Sequence, residues 1–184
     1  CIRYGFGAMG GVVLLNDAPL PYGNKALKVN GNVNLGYDTN ARGLSSSASV
    51  ETGYKKFGLR LHGMYTKGGD YHTADYVLNN TGYNTISLSA LAGYQGKKIT
   101  ATVFSSIYYQ RSGIYYASKV SDIAQLIKRF EYGRPDPETI KPFSYEIKPP
   151  FQQSQHVTLK GELKWDINKN HQLDVTLSFQ ENLR

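Results

Sequence analysis

Eight side chains in two stretches of this sequence are of the types that recognise an anionic, partly aromatic small molecule. Tyr71, His72 and Tyr76 stand in the first stretch, and Arg111, Tyr115, Tyr116, Arg129 and Arg134 in the second. A guanidinium offers a rigid fork of donors to carboxylate or phosphate. A tyrosine ring adds flat, amphipathic contact area. No catalytic constellation accompanies them. His62, His72, His156 and His171 lack metal-ligand spacing and read as surface or lumen histidines. There is no Ser-His-Asp order, CxxC pair or phosphate loop, and Gly5-x-Gly7 precedes no strand–helix unit. The sequence therefore predicts a binding protein with no catalytic residues, no metal ligands and no cofactor.

Such residues must be held by a scaffold, and composition limits which one. The 184 residues include 15 Tyr and 19 Gly, with a mean hydropathy of −0.43. Chains rich in Tyr and Gly suit half-exposed strands better than helices. No apolar run approaches the roughly 20 residues of a spanning helix, so a barrel is the remaining way to cross a membrane. The formal net charge is +7, which raises the question of nucleic acid. Lys and Arg are scattered, however, and the only dense pairs, Lys55-Lys56 and Lys97-Lys98, fall in short turns. A solvated rim is expected and no nucleic-acid partner. Cys1 alone allows no intrachain disulfide. A lipidated N-terminal Cys would lead into a polar tether, which Ile2-Arg3-Tyr4-Gly5-Phe6 is not. With no signal peptide and no initiating Met, the sequence reads as starting inside a longer chain.

Period-two alternation is the dominant signal. In residues 26–37, Leu27, Val29, Val33, Leu35 and Tyr37 oppose Lys28, Asn30, Asn32 and Asn34. The pattern recurs over 44–54, 57–65, 84–94, 98–109, 156–165 and 172–180, predicting seven strands. Their length suits a tilted membrane-crossing strand. Connections are read as alternating between tight (55–56, 95–97, 167–171) and long (66–83, 110–155), every long loop falling at one end, an asymmetry of outer-membrane barrels. Aromatics gather at strand ends: Tyr54, Phe57, Tyr94 and Trp165 beside the short turns, and Tyr37, Tyr65, Tyr83, Tyr108 and Tyr109 beside the long loops. These are expected to form two interfacial girdles. Within the second long loop, Val120, Ile123, Leu126, Ile127 and Phe130 fall at helical spacing in 118–130, stopped by Gly133 and Pro135. A helix packing onto its own loop is expected. Upstream, Gly10-Gly11-Val12-Val13-Leu14-Leu15 fits a strand buried on both faces and broken off by Pro19 and Pro21.

Tyr4-Gly5, Gly7-Ala8 and Gly10-Gly11-Val12-Val13 together resemble the close of the plug domain in TonB-dependent receptors, although Leu14 stands where that family often has Asn. Phe143 to Ile147, Pro150, Gln152, His156, Lys160, Trp165 and Phe179-Gln180-Glu181-Asn182 are similar to the third loop and following strands of such receptors from the Bacteroidetes. The resemblance implies a fold of the all-β class, a transmembrane antiparallel β-barrel preceded by the end of a plug. Residues 1–25 would be plug end and linker, and 26–184 the first part of the barrel. Seven strands cannot close, since open edges in lipid leave backbone groups unpaired, so a fragment is expected. The implied setting is the bacterial outer membrane. The implied partners are lipid and lipopolysaccharide, TonB through an upstream segment, a small-molecule ligand and a surface lipoprotein. The implied function is energy-coupled import of a scarce nutrient, and the Arg and Tyr loop residues favour an iron complex, either a siderophore or haem. A carbohydrate importer, a small eight-stranded barrel of structural or adhesive role using residues 10–15 as a strand, and a soluble β-sandwich module are the alternatives. In the barrel readings Leu59, Leu88, Val103 and Leu163 face lipid; in a sandwich they are buried.

Overall fold

The computed structural model describes residues 18–118, 120, 122–133, 135 and 140–184. Strands β1 (Lys28–Asp38), β2 (Gly43–Tyr54), β3 (Phe57–Gly68), β6 (Tyr83–Gln95), β7 (Ile99–Gly113), β8 (Phe151–Asn168) and β9 (His171–Leu183) form one seven-stranded antiparallel sheet in that order. A small hairpin of β4 (Tyr71–His72) and β5 (Val77–Leu78) lies between β3 and β6. A turn of 3₁₀ helix, Tyr116–Ser118, and helix α1, Ile123–Tyr132, lie between β7 and β8. Among the described residues the sheet is open: β1 and β9 each pair on one side only.

Register turns the alternation of each strand into two continuous faces. Val33, Ala48, Gly63, Leu88, Ile107 and Val157 form one row across six strands. The next row, on the opposite face, is Asn32, Ser49, His62, Ser89, Ser106, Thr158 and Gln180. A one-residue slip would exchange these faces, so the pattern fixes the register. On the apolar face Leu59 is 36% exposed, Leu88 57%, Val103 52% and Leu163 36%, and no second sheet covers them among the described residues. Among the described residues, Leu20, Ala41 and Ala117 are the buried hydrophobic ones. A soluble sheet normally hides one face on a core. Here the apolar face is left open as well.

Several expectations need correction. Most strands run past their predicted ends, because main-chain pairing continues where apolar alternation stops, although β1 begins at Lys28 and β7 at Ile99, inside the predicted starts at 26 and 98. Gln110–Gly113 pair with Phe151–Ser154, so the long connections shrink to 69–82 and 114–150. The β1–β2 connection at the same end is short, residues 39–42, so loop length does not alternate without exception. Tyr54, Phe57, Tyr94 and Trp165 do share the apolar face, with Phe57 and Tyr94 rings 5.2 Å apart. Tyr37, Tyr65 and Tyr109 also lie on it, but Tyr83 and Tyr108 project from the polar face. From Phe57 to Tyr65 the two aromatic rows are about 26 Å apart along the strand, at roughly 3.3 Å per residue.

Helix α1 starts later than predicted, because the Asp122 side chain caps it by accepting from Gln125 N at 2.8 Å. Gly133 ends it at φ 61°, a left-handed conformation suited to glycine. Its apolar residues Ile123, Leu126, Ile127 and Phe130 are all exposed rather than packed on the loop. No helix among the described residues is long and apolar enough to cross a membrane. The plug-like residues Tyr4, Gly5, Gly7, Ala8, Gly10 and Gly11, and with them the strand expected over 10–15, lie outside the described residues.

Candidate functional site

Two constructions bear on binding, one at each end of the sheet. At the long-loop end, three buried side chains tie distant segments together: Asp70, Asn79 and Asn80. The Asp70 carboxylate, 1% exposed, accepts from Thr81 N (3.1 Å), Ser144 N (3.1 Å) and Asn79 Nδ2 (3.3 Å). Asn79 also donates to Lys141 O at 3.1 Å and accepts from Lys141 N at 2.6 Å. Asn80, held at φ 63°, donates to Pro150 O at 2.7 Å and Ile114 O at 2.9 Å, and accepts from Lys148 N at 2.9 Å. A side-chain amide offers two donors and an acceptor, so one Asn can serve three main-chain groups that would otherwise be buried unpaired. Beside this hub a polar cleft is lined by Asp70, Asn79, Tyr116, Lys141, Glu146 and Lys148. Glu146 hydrogen-bonds Lys148 at 3.0 Å and, through that bond and then its charge, holds the ammonium above the ordinary lysine range.

The predicted ligand residues are distributed around this end in separate groups. Tyr71 stacks on Tyr83 with ring centroids 6.0 Å apart. His72 receives an amide from the β1–β2 loop: its N donates to Asn40 Oδ1 at 2.7 Å, and its ring lies 5.4 Å from that of Phe143. Phe143 in turn carries the Arg42 guanidinium at 4.4 Å and meets Tyr145 edge-on. His72 is therefore part of an aromatic stack joining three connections. Tyr76, Tyr115 and Arg129 are close enough to interact electrostatically, and burial, with Tyr76 next, raises the Tyr115 phenol above its ordinary range. Tyr116 lines the polar cleft.

Arg111 is a strand residue, not a loop residue, and it projects on the apolar side above the aromatic row. Its guanidinium lies 3.9 Å from the Phe151 ring centroid and donates to Ile147 O at 3.4 Å. Arg111 Nε and Oδ1 of its cross-strand partner Asn84 are buried without a hydrogen-bond partner among the described residues. Arg134 lies outside the described residues. Sequence reasoning missed Asp70, Asn79, Asn80, Phe143 and Arg42. The run Asn79-Asn80-Thr81-Gly82 is a dense turn signal that could have marked the hub.

At the short-turn end, the segment entering β1 lies against the polar face. Gly53, Gly58 and Gly93 stand side by side on three strands. A Cβ at Gly53 would collide with the Pro21 carbonyl, one at Gly58 would sit 2.7 Å from Leu20 Cβ, and one at Gly93 would run into Tyr22. Only glycine lets the linker approach so closely. Arg60, paired with Glu51 at 2.8 Å, donates to Ala18 O at 2.9 Å and Pro19 O at 3.1 Å. The polar face beyond this bed is walled by small hydroxyls, Ser45, Ser47, Ser49, Ser87, Ser89 and Ser106. Among the described residues no three His, Cys, Asp or Glu side chains are grouped to hold a metal.

Comparison with known proteins gives no family model, no curated protein and no solved structure that matches this chain.

Proposed function

We propose that this chain is the first part of the transmembrane β-barrel of an outer-membrane, TonB-dependent import receptor, with residues 1–25 closing its plug. The observation that carries the reading is the division of labour between the sheet's faces. The apolar face is exposed over all seven strands and bounded by aromatic side chains near both ends, while the upstream chain enters against the opposite, hydroxyl-walled face. With Leu59, Leu88, Val103 and Leu163 at 36–57% exposure, each forgoes in water a part of the about 1.5–3 kcal/mol that full burial supplies, and a contiguous exposed apolar patch marks an interaction surface. Lipid supplies that burial without a second protein layer. Along strands tilted by about 35–45°, the spacing of the aromatic rows projects to roughly 20 Å of height, somewhat short of the roughly 25 Å apolar band of outer-membrane barrels. The free edges of β1 and β9 are where further strands would join.

A plug lies inside a barrel, and a linker pressed onto the polar face from its first described residue is what such a plug requires. For the cargo we propose an iron complex, siderophore or haem, met by the long-loop end, where Tyr76, Tyr115 and Arg129 gather and Tyr116 lines a polar cleft with Lys141 and Lys148. TonB, lipopolysaccharide and a surface lipoprotein are the partners this reading implies.

Fractionation and growth test it together. The protein is expected in the outer membrane, released only by detergent, and its loss is expected to impair growth on one iron complex under iron limitation. Release without detergent would contradict the barrel. Unchanged iron uptake with growth on a glycan lost would move the cargo to carbohydrate.

A further inference from the structure

The short-turn end has a charge pattern of its own. Lys25 precedes β1 and Lys28 begins it, Lys55 and Lys56 form the β2–β3 turn, Lys97 and Lys98 the β6–β7 turn, and Lys169 the β8–β9 turn. Main-chain bonds stitch these turns into one rim. Gly23 N donates to Lys55 O at 2.7 Å and Lys55 N to Asn24 O at 2.8 Å; Gln95 N reaches Lys56 O and Asp166 N reaches Lys98 O, both at 2.8 Å. None of these lysines lies in an ion pair among the described residues, Asp166 at the same end included. The direction of two of them is set by rings. Lys55 Nζ stands 4.8 Å from the Tyr54 ring centroid, and Lys56 Nζ 5.8 Å from that of Tyr94. Both rings belong to the aromatic row of the apolar face, so these cations lie at the border of that face.

We infer that this rim binds the headgroups of anionic phospholipid, with Lys55 and Lys56 holding lipid phosphate at the level of the aromatic row. The inference rests on the membrane reading proposed above. A lysine beside an apolar band lays its stem along the band and places its ammonium where lipid phosphates lie. The cation–ring contacts hold the two ammoniums there. Lys97 and Lys98 stand two strand spacings along the rim, roughly 10 Å and so about one Debye length at ordinary salt, and add to the same field, whereas Lys169, four spacings away, adds little. Basic residues near an anionic leaflet each strengthen its attraction. The long-loop end is unlike this, because its charges are mixed, as in Lys148 beside Glu146.

The test titrates the full-length protein in neutral detergent with phosphatidylglycerol or phosphatidylcholine and reads bound lipid by native mass spectrometry. Reconstitution into phosphatidylcholine vesicles, read by flotation, runs alongside. The wild-type protein is expected to insert into neutral vesicles and to prefer phosphatidylglycerol. Changing Lys55 and Lys56 together to Gln is expected to lower that preference roughly thirtyfold; Lys55→Arg with Lys56→Arg should retain it, and Lys141→Gln with Lys148→Gln should leave it unchanged. Insertion with equal affinity for the two lipids, or a preference that survives the Gln pair, would overturn the headgroup site while leaving the membrane reading intact. Failure to insert into any vesicle would overturn the membrane reading and the headgroup site with it.

Discussion

The two ends of this sheet are built by different means. At the short-turn end the order is made chiefly by the main chain, through two- and three-residue turns bonded to their neighbours and a glycine bed that receives the linker, with Arg60 adding side-chain bonds to that linker. At the long-loop end it is made by side chains, since Asp70, Asn79 and Asn80 reach segments 62 to 74 residues away in the chain. The first kind of order propagates from the strands themselves. The second depends on a few buried polar groups, each of which is costly to leave half-satisfied. The loop end can therefore be dismantled by one substitution that spares the sheet.

Asp70→Ala should have the largest effect. It leaves Thr81 N, Ser144 N and Asn79 Nδ2 without their acceptor, for an expected loss of roughly 3–5 kcal/mol from the loop assembly. Hydrogen exchange should show residues 140–150 losing protection while the short-turn end keeps its own. Loss of protection at both ends would mean that the ends are not independent. Gly53→Val is the mirror experiment. The added side chain meets Pro21, an overpacking of about 1–3 kcal/mol, and protease access to residues 18–24 should rise with no change in the loops.

Asp122→Ala should act more weakly still, removing the bond to Gln125 N at about 1 kcal/mol. Faster exchange confined to residues 123–126 would support this. The smallest effect is alkaline. The Tyr115 phenol is raised by burial, so the folded state holds its proton more tightly than the unfolded chain does. That contribution is fully present below the ordinary tyrosine range and is lost as pH rises through the folded value. Absorbance titration of wild type against Tyr115→Phe should show one late-titrating phenol missing from the variant. Identical curves would remove Tyr115 from the group.

Legibility in the sequence follows the same division. Alternation located all seven long strands and their faces, because Val29, Leu61, Leu88 or Leu177 against Asn30, His62, Ser89 or Ser178 is a local pattern that register merely aligns. It failed where both sides of a strand are polar, as in Gln110–Ser112 against Gln152–Ser154, so the strands were drawn too short. Its parity already set Tyr108 opposite Tyr109 and Tyr83 opposite Ile86; grouping them into one girdle by nearness to a loop overlooked that. Among the ligand candidates, composition could not separate Tyr76 and Tyr115 from His72 and Arg111. His72 is held by Asn40 and Phe143, and Arg111 by Phe151 and Ile147. Those partners are distant in sequence.

The claim on which the rest depends is that one face meets lipid and the other the interior. Spin labels placed on Cys1→Ser protein at Leu59, Leu88, Val103 and Leu163, and at His62, Ser89 and Ser106, read it directly in the native membrane. The account predicts high collision with oxygen and low collision with a water-soluble nickel chelate at the first four, and the reverse ordering or shielding by plug at the other three. Labels at the first four that are shielded from both reagents, as under a second protein layer, or open to the nickel chelate, would contradict it.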